Sequence, residues 1–207
     1  MIWLLLVPLA IATVATTTNR LAFKMAVPIV CAAIIAVVTA TADGDAATAS
    51  GVIAALVVSA AGDYFLSRKG GRESYFIIGI ALYLLAHAGY LTAAAMNATL
   101  HPTGLAVVLI VFVAYYAALL RPAIASPALS IAVLVYLLLS CVVLAVSFGI
   151  VWDAPAATLF IAGIALIVVS DTAISVKEFL GRRWADPIIL PTYYLAHLAI
   201  TAALMLR

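Results

Sequence analysis

Polar residues in this chain fall in short clusters, and between the clusters lie eight apolar runs. The runs fall near 2–18, 25–42, 48–67, 74–96, 102–120, 127–149, 155–177 and 186–206. Most approach the roughly 20 residues that an α-helix needs to cross a hydrocarbon core. Hydrocarbon cannot hydrogen-bond an exposed peptide group, so runs of this kind must be helices. A water-soluble fold is excluded by composition: 68% of residues are hydrophobic and only 9% charged, against about 25% charged in a soluble domain. The sequence therefore predicts an all-α polytopic membrane helix bundle, a single transmembrane domain over 1–207 with eight transmembrane helices. No basic residue precedes the first run, so that run is expected to stay as a helix rather than to be a cleaved signal. The formal net charge of +2 is too small to imply a nucleic-acid partner.

The basic residues alternate between connections. Arg20 and Lys24 lie in the first, Arg68, Lys69 and Arg72 in the third, Arg121 in the fifth, and Lys177, Arg182 and Arg183 in or beside the seventh. The even connections hold no Lys or Arg and instead carry Asp43, Asp45, His101 and Asp153. Only Arg207 breaks the pattern. The positive-inside rule places the odd connections in the cytoplasm and both termini outside, in a cell membrane. A missed or spurious helix would scramble this alternation. Pro102, Pro155 and Pro187 fall at run starts, where a missing N–H costs little, whereas Pro191 lies deeper and is expected to kink the last helix. Cys31 and Cys141 sit in apolar runs and read as small buried hydrophobes.

Two stretches look alike. Asp63–Tyr64–Phe65–Leu66–Ser67, with Lys69, is followed by Tyr83–Leu84–Leu85–Ala86–His87. Asp171–Thr172–Ala173–Ile174–Ser175, with Lys177, is followed by Tyr193–Tyr194–Leu195–Ala196–His197. The likeness predicts a parallel 4+4 internal repeat with halves 1–100 and 101–207, related by an axis along the membrane normal.

Ionisable residues inside a membrane are costly and point to function. Asp63 and Asp171 lie at similar depth, roughly 7–9 Å inside the basic boundary at the helical rise. If the halves pack about an axis, the two carboxyls converge on one cavity. Two carboxyls in one buried site do not both ionise readily, so one keeps a proton and serves as acid while the other is a carboxylate. The competing reading ties each Asp to a nearby Lys or Arg. His87 and His197 come out roughly 16–20 Å deep on the same rise, about 10 Å past the acids, so they read as helix–helix hydrogen-bonding residues and no metal site is expected. Tyr83, Tyr193 and Tyr194 lie one turn nearer the acids and are candidate donors to a carboxylate or substrate oxygen. Ser59, Ser67, Ser170 and Ser175 read as small packing residues. A serine-hydrolase elbow, a P-loop, a dinucleotide fingerprint and a Cys/His metal cluster are all missing from the sequence.

At these positions the chain resembles the lysoplasmalogenase (YhhN-like) family of multi-pass membrane proteins. The resemblance rests on Gly62–Asp63 late in the third run, Gly79 with His87 and Tyr90 in the fourth, Ser170–Asp171 in the seventh and Tyr193–Tyr194 in the eighth. It spans the whole chain in length and helix count. It departs at His197, where the family often has Gln. The resemblance implies a hydrolase that cleaves the vinyl ether bond of a lysoplasmalogen to a fatty aldehyde and a glycerophospho-head group, with Asp63 and Asp171 as the acid/base pair. Neither acid is assigned its role by sequence. No cofactor is implied, and the partner is a lysophospholipid in the membrane. His87, Tyr83, Tyr90, Ser170, Tyr193, Tyr194 and His197 would support the site. Lys69, Arg72 and Lys177, with Arg68, Arg182 and Arg183, would hold the phosphate. The rival reading is a proton-coupled secondary transporter of a small or lipid-like substrate, since parallel repeats and buried acids also suit proton coupling. A lysolipid-binding or structural protein is the third.

Overall fold

The computed structural model describes residues 2–42 and 45–207. Asp43 lies outside the described residues. In chain order the helices are α1 (Ile2–Thr18), α2 (Leu21–Thr41), α3 (Ala46–Ser67), α4 (Glu73–Ala95), α5 (Pro102–Ala123), α6 (Pro127–Ser147), α7 (Ala154–Leu180) and α8 (Asp186–Leu206). Seven of these, α2 to α8, are long and apolar enough to cross a membrane, and α1 is a shorter apolar helix. The protein is thus a multi-pass membrane protein built from helices. No strand occurs among the described residues, and a single antiparallel bridge joins Ala98 to Ile150. Pro28 and Pro191 are carried inside α2 and α8, which run on past them as helix.

The surface confirms the solvent. Ile110, Val111, Leu85, Ile131 and Val151 are each at least 60% exposed, an arrangement that lipid accepts and water does not. The interior is small-residue packing of the kind that lets membrane helices approach closely. The most extensive pairs are α7 with α8 and α3 with α4. A Cβ at Gly89 of α4 would come within 2.6 Å of the Gly51 carbonyl of α3, and one at Gly163 would meet Ile200 of α8 at the same distance. Around these pairs α2 packs on α3 and α8, while α6 packs on α4 and α7. Helix α5 rests mainly on α6 and is the least enclosed: 11% of its apolar window is buried, against 39–50% for the other six spanning helices.

One end of the bundle carries the basic connections. There Lys69 pairs with Glu178 and Lys177 with Asp186, each at 2.5 Å. The opposite end explains the stray Arg207. Its guanidinium donates to Asp45 Oδ2 at 2.8 Å and to Asn97 Oδ1 at 2.7 Å, and lies over the Trp152 ring. Asp45 also caps α3 by accepting from Ala47 N and Thr48 N, and from the Thr48 hydroxyl at 2.7 Å. This clasp ties the start of α3, the end of α4 and the end of α8 together.

The Thr48 hydroxyl above all, then the Thr48 N–H and Arg207, lower the Asp45 carboxyl from 3.8 to about 2. A lowered carboxyl stabilises the fold above its ordinary value, and that contribution disappears as pH falls through the folded value. Replacing Asp45→Ala should therefore cost about 1 kcal/mol at neutral pH, as loss of a helix cap does. Thermal unfolding in detergent should show this difference shrinking as pH falls from about 4 towards 2.

Candidate functional site

Helix α4 carries Tyr83, His87 and Tyr90 on one stripe, at the one-turn spacings that put side chains above one another. All three are buried, and each meets a residue from another helix. Tyr83 Oη donates to Asp63 Oδ1 of α3 at 2.5 Å. Tyr193 of α8 donates to Asp63 Oδ2 at 3.1 Å, and the two tyrosine oxygens are 3.3 Å apart. Asp63, only 7% exposed, is thereby held by two hydroxyls from two helices. The tight approach of Tyr83 needs Gly62, where a Cβ would sit 2.8 Å from the tyrosine ring.

Asp171 of α7 is just as buried and is held differently. Ser140 of α6 donates to its Oδ2 at 3.0 Å. His87 Nε2 lies 3.3 Å from the same oxygen, close but not aligned as a hydrogen bond. His87 Nδ1 is 2.7 Å from the Tyr83 carbonyl, which only accepts, so Nδ1 carries a hydrogen. A second lone pair facing a carboxylate would be repelled. A proton on either group relieves that repulsion. One residue of α4 thus holds Asp63 by its hydroxyl, and through its carbonyl fixes the histidine that faces Asp171.

The sequence-based depth estimate put the histidines out of reach of the acids, and for His87 this is corrected. Helix α7 runs on to Leu180, beyond Lys177, so Asp171 sits deeper than the charge boundary suggested. Side chains also lean towards the N-terminus of their own helix. The Lys69–Glu178 pair shows that α4 starts at the end where α7 finishes. The two helices are antiparallel, and the two side chains lean towards each other. His197 does not meet an acid: its Nδ1 lies 3.3 Å from Tyr90 Oη and its ring packs on Tyr193.

Asp63 and Asp171 both line one cavity of about 590 Å³ at the basic end, within the size range of small-molecule sites. Tyr83, Tyr193, Ser170, Lys69 and Lys177 line it as well. Ser170 Oγ donates to the Ile189 carbonyl, tying α7 to α8. Lys69 and Lys177 are engaged by Glu178 and Asp186, so neither is an open cation. Arg72 does not line the cavity; it lies over the Tyr75 ring at 5.1 Å. Tyr194 is also outside the lining, with its hydroxyl buried and without a partner among the described residues. Sequence reasoning missed Ser140, whose hydroxyl donates to Asp171, and Tyr136, whose ring packs edge-on against His87. Their one-turn spacing in an otherwise aliphatic run was the available signal. It also missed Thr16, Asn19 and Lys24, which the α1–α2 hairpin brings to the cavity. Among the described residues no cluster of three or more His, Cys, Asp or Glu is placed to hold a metal ion.

No curated protein and no solved structure matches the chain at a significant level. The YhhN family profile matches residues 3–204, nearly the whole length. The chain belongs to the YhhN family.

Proposed function

We propose that this protein is a membrane hydrolase that cleaves the vinyl ether bond of a lysoplasmalogen, releasing a fatty aldehyde and a glycerophospho-head group. The observation that carries the reading is the convergence of Asp63 and Asp171, from helices far apart in sequence, on one cavity. Vinyl ethers hydrolyse when an acid protonates the alkenyl carbon remote from oxygen. The cation left on the carbon attached to oxygen is captured by water. Water gives up its proton to the carboxylate, restoring the acid. The resulting hemiacetal collapses, its hydroxyl proton passing to the leaving glycerol oxygen as the carbon–oxygen bond breaks. One buried acid and one nearby negative charge meet these needs, as paired carboxyls do in glycoside cleavage. The reading requires no cofactor.

In the same reading the chain is one transmembrane domain of eight spans in two halves, set in the cell membrane with the basic connections in the cytoplasm and both termini outside. The crosswise packing, α2 on α8 and α6 on α4, supports two halves about a common axis, as do the matching α3–α4 and α7–α8 pairs. The phosphate of the substrate falls to Lys24. It lines the cavity and takes part in none of the ion pairs among the described residues, whereas Lys69 and Lys177 are already neutralised.

Purified protein in detergent should release aldehyde from an alkenyl lysolipid, and folded Asp63→Asn and Asp171→Asn variants should each lose about 10²–10⁴-fold in rate. Unchanged release in either variant would remove that acid from the mechanism. Proton flux in liposomes without aldehyde would favour the transporter. Lys24→Gln should raise KM several-fold with little change in kcat, the mark of lost ground-state binding. Lys69→Gln should act more weakly on KM, and the reverse order would displace Lys24 from the phosphate.

A further inference from the structure

A second, apolar crevice opens off the cavity between α4, α6 and α7. The two share a wall made of Leu66, Phe76, Tyr83, Asp171 and Ile174. Beyond that wall the crevice is lined by Ile80, Val133, Leu137 and Phe179. We propose that this crevice takes the hydrocarbon chain of the substrate and so sets the vinyl ether against Asp171 rather than Asp63. The inference rests on the vinyl-ether reading above and assigns the roles that the reading left open.

A lysolipid has a charged end and an apolar chain, and in an alkenyl lysolipid the reactive double bond lies where the two join. A site for it needs a polar and an apolar compartment that meet, with the acid at the seam. Asp171 borders both compartments, whereas Asp63 borders only the polar one. Asp171 also has His87 beside it, with Nε2 3.3 Å from Oδ2. Asp63 has both oxygens occupied by tyrosine hydroxyls that donate to it, which suits a carboxylate facing a developing cation. In this arrangement Asp171 gives its proton to the alkenyl carbon and recovers one from the attacking water. Asp63 keeps its charge throughout.

The crevice is narrow, about 20 Å³, or room for one water. A chain enters it only when Phe76, Val133 or Phe179 turns aside. Helix α5 is the least enclosed of the spanning helices, and its Tyr115 donates to or accepts from Ser175 of the crevice wall at 2.7 Å. A single π-helical turn, Tyr116–Leu120, follows at once, a distortion often found beside functional sites. In the proposed arrangement the chain would enter from the bilayer side, past α5.

The test uses the full-length protein in lipid nanodiscs with a lysophospholipid whose chain is joined by a saturated, non-cleavable ether and carries a terminal diazirine. Photolysis and peptide mapping should place label on Ile80, Val133, Leu137 or Phe179, competed away by an unlabelled lysolipid. Label confined to lipid-facing residues such as Ile110 or Leu85 would overturn the proposal. A kinetic arm measures aldehyde release from long-chain and four-carbon alkenyl lysolipids. Val133→Phe should lower the long-to-short ratio of kcat/KM about tenfold, as loss of well-fitted methylene sites does. An unchanged ratio would contradict the chain site. Should Val133→Phe fail to fold, Ile80→Ala, which enlarges the crevice, should shift preference towards longer chains, and no shift would count against the site. Labelling needs no cleavage. Crevice label with no aldehyde from the wild type would therefore sink the hydrolase reading while supporting the chain site.

Discussion

A carboxyl group buried among membrane helices meets little water, so it draws its partners from neighbouring helices. Asp63 and Asp171 impose this condition twice. The protein meets it largely from α4: the Tyr83 hydroxyl reaches Asp63, and the Tyr83 carbonyl fixes the His87 ring that faces Asp171. The remaining donors come from α6 and α8, through Ser140 and Tyr193. The arrangement requires α3, α4, α6, α7 and α8 to meet at one depth. Close approach at Gly51–Gly89 and at Gly163 brings the helix pairs to the distance at which those contacts form. Fold and site are two descriptions of the same contacts.

The two stretches that look alike in sequence are unlike in chemistry. Both tyrosines of the repeated motif, Tyr83 and Tyr193, serve Asp63, and Asp171 is left to His87 and Ser140. His197, the counterpart of His87, turns to Tyr90 instead. Such asymmetry gives the acids different surroundings, the condition under which two like carboxyls take different roles. A symmetric arrangement would have offered no basis for dividing them.

Much of this was legible in the sequence. The apolar runs foretold the helices to within a few residues, because in lipid a helix must extend wherever polar groups are missing. Asp63 and Asp171 stood out because charges are rare there, and Tyr83 and Tyr193 because they sit one helix away at matching depth. The His87–Asp171 approach was not legible from rise per residue, since it arises from two side chains leaning in opposite directions along antiparallel helices. Nor could the sequence tell an open lysine from a paired one. Lys69 and Lys177 looked like phosphate ligands until Glu178, from far along the chain, and Asp186, at the start of the next helix, closed on them. Lys24 looked like an ordinary loop charge until the α1–α2 hairpin folded it over the cavity. Eight spans were read from the sequence; seven of the helices have the length and hydropathy for a span, because α1 is shorter.

The proposed reaction begins with protonation of carbon. Cleavage of an alkenyl lysolipid in deuterated water, with the aldehyde trapped at once by borohydride, tests it most directly. Protonation by a buried acid in exchange with solvent predicts one deuterium on the carbon next to the former carbonyl, and a rate lower than in ordinary water. An aldehyde formed at full rate without deuterium at that carbon would contradict the account.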